Sequence, residues 1–155
     1  MSTKYVTFTT SRGTIVAELY SRDCPATVEN FESLANAGFY NGVRIHDVDS
    51  GRLAYTGDPL SRGLPAGDPR IGTGDPGYAI PCELVGNRNT HVRGAISMDH
   101  SGPDTGGSRF FFVLDDAAGK AFDGRHTVFG RVGDGLEVLQ ALQPQDVIEG
   151  VRVWE

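Results

Sequence analysis

Hydrophobic and polar residues alternate near the start of the chain, which is the pattern of half-buried β-strands. Tyr5–Thr9 and Thr14–Tyr20 are rich in β-branched and aromatic residues and are joined through Ser11-Arg12-Gly13, so they predict an antiparallel hairpin. Apolar residues then recur every three to four positions after Asp23-Cys24-Pro25 and stop at Gly38. This spacing predicts one amphipathic helix of about three turns.

Turn-forming residues dominate positions 40 to 78, where the triplet Gly-Asp-Pro occurs three times at irregular spacing. Asp followed by Pro favours turns. We therefore expect a long surface loop, with little secondary structure of its own, at about residues 59–76. Loops of this length are commonly functional or mobile, and an inert loop is the alternative.

Short strands are predicted again in the second half of the chain, each bounded by Gly, Pro, Asp or Asn. They lie at Tyr78–Ile80, Gly94–Met98, Arg109–Leu114, Thr127–Val132 and Val147–Trp154. A second helix is predicted to begin at Asp134, because Glu137 stands three residues further on, as in a capping box. Many short strands with two helices predict a mainly all-β barrel or sandwich with helical caps.

Composition and charge exclude several classes of function. A chain of 155 residues fits a single domain, 1–155, and its net charge of −6 without a basic run makes nucleic acid and anionic membranes poor partners. No apolar stretch is long enough to span a bilayer or to serve as a targeting core. Cys24 and Cys82 form neither a zinc motif nor a disulfide framework. We expect a cytoplasmic monomer.

Four segments in order carry a more specific signal: Cys24–Phe31, Arg93–Met98, Ser101–Phe111 and Phe122–Val132. In these segments, and nearly from end to end, the chain resembles the cyclophilins, a family of peptidyl-prolyl cis-trans isomerases. The resemblance implies a closed eight-stranded antiparallel β-barrel capped by two α-helices. It also implies a groove on the outer surface of the barrel that binds proline-containing peptides or unfolded protein chains.

The chemistry of such a groove needs no cofactor and no metal. Rotation about a peptide bond has a barrier of about 18–20 kcal/mol because the C–N bond has partial double-bond character. A catalyst has only to hold the proline ring in an apolar pocket, grip the flanking chain and favour the twisted state. In that state the proline nitrogen regains a lone pair that accepts a hydrogen bond. In the family the donor is an arginine.

The family's arginine is missing from this chain. It lies in a segment of the type Phe-His-Arg-Val, and the matching stretch here is Ile45-His46-Asp47-Val48, so a carboxylate that only accepts hydrogen bonds stands at the donor's position. The stretch after it matches Phe-Met-Ile-Gln-Gly-Gly-Asp, with Arg52 for phenylalanine, Leu53 for methionine and Tyr55 for glutamine.

The resemblance also implies a set of further substrate-binding positions, several of them altered. Asp99 and His100 replace alanine and asparagine, and Arg109 replaces glutamine. The substrate-binding positions in the second half of the chain are Asp99, His100, Phe111, Ala121 (for tryptophan), Phe122 (for leucine) and His126.

Strand alternation places Arg109 on the same face as Phe111, in the groove, and directs Phe110 and Phe112 to the core. The same alternation sends Asp47 to the groove and His46 inward. We therefore expect an Asp47–Arg109 ion pair, with Arg109 as the candidate replacement donor. The alternative is a solvated surface contact contributing about 0–1 kcal/mol.

Two functions remain open. The first is a peptidyl-prolyl cis-trans isomerase with weakened or altered activity, because the arginine is absent. The alternative is a non-catalytic module that binds proline-containing peptides on the same scaffold. A metal site at His46-Asp47-Val48-Asp49 is rejected, since adjacent strand residues point to opposite faces.

Overall fold

Eight β-strands make up most of the regular structure of the computed structural model, which describes residues 3–155. They are β1 Lys4–Thr10, β2 Gly13–Leu19, β3 Asp47–Asp49, β4 Leu53–Thr56, β5 Ala95–Met98, β6 Phe110–Val113, β7 Val128–Asp134 and β8 Ile148–Trp154. The helices are α1 Pro25–Asn36, α2 Asp116–Gly119 and α3 Leu136–Ala141. The mainly β, antiparallel architecture expected from the sequence is confirmed.

The sheet is a curled half-barrel and is open. Its strand order is β3-β4-β6-β5-β7-β2-β1-β8, and every pair in it is antiparallel. Within residues 3–155 the end strands β3 and β8 do not pair with each other. One isolated bridge, Arg44 to Val147, lies beside them. The expected closed barrel is therefore wrong, because β3 has only three residues and pairs with β4 alone.

The first hairpin and the first helix form where the sequence predicts them. β1 and β2 pair from Lys4 with Leu19 to Thr10 with Gly13. Helix α1 begins with Pro25 in its first turn, where the missing N–H costs nothing, and Gly38 follows its end with φ of +79°. Val28, Phe31 and Leu34 are buried on one face of the helix, which packs against β8.

Three local predictions are wrong. Tyr78–Ile80 is not a strand; Ile80 makes only an isolated bridge to Gly106. Asp134 does not cap the second helix, because it is the last residue of β7 and Gly135, with φ of +89°, precedes α3. Strands β3 and β4 fall in the region that the sequence assigns to turns.

Buried side chains form two separate layers, one on each face of the sheet. The larger, inner layer contains Phe8, Phe31, Phe110, Phe112 and Phe129, and helix α1 covers it. The smaller layer, the outer cluster, consists of Leu53, Ala95, Phe111, Val113 and Val128. The predicted division of the β6 phenylalanines between two faces is confirmed. Within residues 3–155, no helix has the length and apolar character needed to cross a membrane.

The segment 59–76 is tied to the sheet by one buried carboxylate. It contains a single turn of 3₁₀ helix, Pro59–Arg62, and otherwise turns. Asp58 is fully buried, and its carboxylate accepts the backbone N–H groups of Leu60 (2.8 Å), Gly72 and Gly74 (3.2 Å). A side chain at Gly74 has no room, because its Cβ would collide with Asp58 Oδ1. The far end of this loop is therefore held against the sheet.

Candidate active site

The register of four strands aligns one row of side chains on the outer face of the sheet. Asp47 on β3 lies opposite Tyr55 on β4, Tyr55 lies opposite Phe111 on β6, and Phe111 lies opposite Ser97 on β5. Directly opposed residues of antiparallel strands share a face and contact one another. The row thus runs from an exposed carboxylate at the sheet edge to a buried ring at its centre.

Phe111 is the floor of a cluster of aromatic rings. It is fully buried, and its ring centroid lies 5.0 Å from that of Phe122, 5.5 Å from Tyr55 and 5.7 Å from His126. Phe122, Tyr55 and His126 are half-buried, so they form the rim above Phe111. The structure thus brings together four of the positions to which the resemblance assigns substrate binding: Tyr55, Phe111, Phe122 and His126. An aromatic rim above an apolar floor suits a small, rigid ring.

Two imidazoles stack at one side of the rim. The rings of His100 and His126 are parallel within 3° at a centroid distance of 3.9 Å. His126 Nδ1 donates to the Met98 carbonyl oxygen at 2.7 Å, and His100 Nε2 donates to the Arg125 carbonyl oxygen at 3.1 Å. Burial lowers the pKa of His126. His126 is therefore neutral at pH 7, and its Nε2 is a hydrogen-bond acceptor.

The other predicted groove residues occupy less central positions. Leu53 is buried in the outer cluster beside Phe111. Arg52 is exposed and forms a 3.0 Å ion pair with Asp49 in the turn between β3 and β4. Ala121 is exposed in the 3₁₀ turn that carries Phe122. Arg52 and Ala121 therefore lie outside the ring cluster itself.

Arg109 does not pair with Asp47, so that expectation is wrong. Its Nη1 donates to Asp99 Oδ2 at 3.1 Å and to the Gly72 carbonyl oxygen at 2.5 Å, and its Nε donates to the Gly74 carbonyl oxygen at 3.0 Å. Only 12% of its side chain is exposed. Tertiary structure determines this pairing. A backbone hydrogen bond from Asp99 N to Arg109 O sets the two residues side by side, and the loop passes over them. Arg109 clamps the loop.

A cavity of about 400 Å³ opens at the Asp47 end of the row. His46, Asp47, Tyr55 and Asp99 line it together with the loop residues Asp68 and Gly72. His46 is half-buried here rather than in the core, so its predicted inward direction is wrong; β3 begins only at Asp47, and strict alternation does not extend back to it. Burial lowers the pKa of His46, whose buried Nδ1 has no hydrogen-bond partner within residues 3–155.

Sequence reasoning missed a hydrogen-bonded chain beneath the ring cluster. His91 is buried and stacks on Phe111 at 5.8 Å and 13°. Its Nδ1 lies 2.8 Å from Asp123 Oδ1, and its Nε2 lies 2.7 Å from Ser97 Oγ. Burial lowers the pKa of His91. No local spacing signals this chain of contacts, because Asp123 is 32 residues from His91 and Ser97 lies on a different segment, β5. The contacts fix the imidazole ring that stacks on Phe111.

Comparison with known proteins gives a consistent answer along the whole sequence. A family model described as "Cyclophilin type peptidyl-prolyl cis-trans isomerase/CLD" matches residues 5–153. A peptidyl-prolyl cis-trans isomerase of Helicobacter pylori strain 26695 is 44% identical over 151 residues, covering 96% of this chain and 86% of that protein. Peptidyl-prolyl cis-trans isomerase B of Bacillus subtilis is 46% identical over 136 residues, covering 88% and 87%.

A solved structure shares the fold. The cyclophilin-type isomerase of Cryptosporidium parvum superposes with a TM-score of 0.86 at 24% identity, covering 99% of both chains. At this identity, the match supports the architecture of the sheet and helices.

Proposed function

Because the chain belongs to the cyclophilin-type peptidyl-prolyl cis-trans isomerase family, we propose that it accelerates cis–trans isomerisation of X–Pro bonds in peptides and folding proteins. The observation that carries this proposal is the ring cluster of Phe111, Phe122, His126 and Tyr55 on the outer face of the sheet. A proline ring seated on the rim would leave the peptide backbone beside the row that leads to Asp47.

The class of ligand is supported by a related protein. The Cryptosporidium parvum cyclophilin was also solved in the presence of the dipeptide Ala-Pro. We propose the same class, a short segment with an accessible X–Pro bond, for the present groove. Burying the apolar face of the proline ring supplies affinity at roughly 25 cal/mol per Å² of surface removed from water.

We propose further that catalysis is weaker here than in relatives that carry the arginine. Asp47 offers only acceptor atoms at that position. Arg109 is engaged by two loop carbonyl groups and by Asp99, so it is not free to move to the proline nitrogen. These contacts also favour the second candidate function, a groove that binds proline peptides without catalysis.

Exchange spectroscopy by NMR on a short X–Pro peptide with catalytic amounts of protein separates the two functions. We expect the parent protein to accelerate exchange and Asp47→Arg to raise the catalysed rate by about tenfold or more, because a charged donor then faces the groove. Asp49→Arg is the matched control: it makes the same charge change two residues along β3, and we expect no gain. Peptide binding without acceleration by the parent would favour the binding module.

We also propose that the chain works as a monomer in the cytoplasm, with neither nucleic acid nor a membrane as a partner. The net charge of −6 argues against nucleic acid and anionic membranes as partners. The two free thiols, Cys24 and Cys82, are compatible with a reducing compartment such as the cytoplasm. Sedimentation at several protein concentrations tests whether the protein is a monomer.

A further inference from the structure

The groove needs a hydrogen-bond donor, and the position of the family's arginine cannot supply one. The twisted X–Pro bond places a lone pair on the proline nitrogen, and a donor aimed at it stabilises that state over either planar isomer. A carboxylate at Asp47 is an acceptor only. The donor must therefore come from another side chain of the outer face.

Arg109, the charged donor on the same face of the sheet as Phe111, is already engaged. The Nε and Nη1 groups of Arg109 hold Gly72, Gly74 and Asp99. Moving the guanidinium would release the loop and leave the carboxylate of Asp99 without its ion pair, which is costly for groups with so little exposure.

Three of the histidines are engaged in the same way, and the unpartnered Nδ1 of the fourth, His46, is buried. His126 gives its Nδ1 proton to Met98 O, and His100 gives its Nε2 proton to Arg125 O. Both ring nitrogens of His91 lie within hydrogen-bond distance of Asp123 and Ser97. In its neutral form, each of these rings carries a single N–H. His126 and His100 thus spend their N–H groups on backbone carbonyl oxygens, and the second ring nitrogen of His100, Nδ1, accepts from Gly102 N at 3.3 Å.

Tyr55 is different. It lies between Asp47 and Phe111 in the cross-strand row, and its ring packs on Phe111 at 5.5 Å. Its side chain is half-exposed and lines the cavity at the Asp47 end of the groove. Within residues 3–155, its hydroxyl makes no hydrogen bond, although a phenol is a good donor.

We propose that the hydroxyl of Tyr55 is the hydrogen-bond donor of this groove and replaces the missing arginine in stabilising the twisted X–Pro bond. This inference rests on the proposed isomerase function. Burial raises the pKa of Tyr55, and the carboxylates of Asp99, Asp47 and Asp49 raise it further, so the phenol keeps its proton at physiological pH. The acidic edge of the groove thus maintains the donor in its protonated form.

The test is Tyr55→Phe, which removes the hydroxyl and keeps the ring on Phe111. We expect the catalysed exchange rate at saturating peptide, the kcat, to fall by about tenfold or more. The Kd for the same peptide, from chemical-shift titration, is expected to stay within about twofold, because the ring contacts remain.

Tyr20→Phe is the matched control. Tyr20 also packs against the outer cluster and is half-buried, but it lines a separate cavity beside β2 and β7. We expect Tyr20→Phe, which also removes one hydroxyl, to leave kcat and Kd unchanged. If the parent is active and Tyr55→Phe is equally active, the role of Tyr55 is overturned while the proposed isomerase function stands. A parent that binds the peptide without accelerating exchange overturns the proposed function and this inference together.

Discussion

Phe110 and Phe111 are neighbours on β6, and both are fully buried, yet they belong to two different regions of the molecule. Phe110 faces the inner layer, where its neighbouring rings are Phe8, Phe31, Tyr40, Phe112 and Phe129. Phe111 faces outward, where three of its four neighbouring rings carry a nitrogen or an oxygen atom, namely Tyr55, His91 and His126.

The comparison shows that burial alone does not separate core from site. A ring surrounded mainly by phenylalanine rings contributes packing, and its loss lowers stability. A ring that supports polar aromatic side chains positions groups that can meet a ligand. Substitutions on the two faces should therefore move different observables.

The inner face should show the largest effect on stability. We expect Phe110→Ala to lower the free energy of unfolding by about 3–5 kcal/mol, because it opens a cavity among five rings that cannot collapse freely. Urea unfolding followed by circular dichroism measures this change. Phe110→Leu, which keeps most of the volume, should cost clearly less. A loss under about 1 kcal/mol for Phe110→Ala would place Phe110 outside the rigid core.

Loss of the Arg109 contacts to the loop should have the second-largest effect on stability. Arg109→Met keeps the length of the side chain but removes the donors to Gly72, Gly74 and Asp99, so we expect a loss of about 1–3 kcal/mol in unfolding free energy. Amide hydrogen exchange at Gly72 and Gly74 should become faster. Arg70→Met, in the same loop but at a side chain that is 67% exposed, should leave both observables nearly unchanged. Equal effects of the two substitutions would contradict the clamp.

On the outer face, Phe122→Ala should move binding more than stability. Phe122 is half-buried at the rim, so we expect a stability loss of only about 1–2 kcal/mol. We expect a peptide Kd at least about tenfold higher, measured by chemical-shift titration. If the stability loss matches that of Phe110→Ala and the Kd is unchanged, the two faces do not differ in the way proposed.

The smallest effect concerns pH. Burial lowers the pKa of His91 and His126 in the folded state below the ordinary value of 6.5. As pH falls below 6.5, the unfolded chain takes up protons that the folded chain does not, so stability is full above this value and declines below it.

Unfolding free energies at about pH 7.5 and pH 5.5 test this sign. We expect the lower value at pH 5.5, and a smaller difference in His91→Gln, which lacks one of the buried imidazoles. Stability that is constant or greater at the lower pH would contradict the burial of neutral imidazoles on the outer face.

Local sequence patterns predict the parts of the fold that local forces determine. The β1–β2 hairpin and α1 have their own turn and capping residues, and alternation on β6 correctly separates Phe111 from its neighbours. Strands β3 and β4 escape such patterns because they are three and four residues long and form by pairing with other strands.

The candidate site was predictable in composition but not in its contacts. Alternation assigns Arg109 to a face of the sheet. It cannot show that residues 72 and 74, in a loop rich in turn-forming residues, supply the carbonyl groups that bind the guanidinium. The chain from Asp123 through His91 to Ser97 likewise depends on residues brought together only by the fold. Tyr55 entered the prediction as a replaced glutamine, and only the register shows its place between Asp47 and Phe111.

Catalysis by the outer face should extend from short peptides to X–Pro bonds in flexible protein chains. The most direct measurement is the refolding of an unfolded protein whose slow phase is limited by prolyl isomerisation, which takes tens of seconds or longer without a catalyst. We expect the rate of this phase to rise in proportion to the concentration of added protein. A slow phase that is unchanged at concentrations where the protein binds a proline peptide would contradict it.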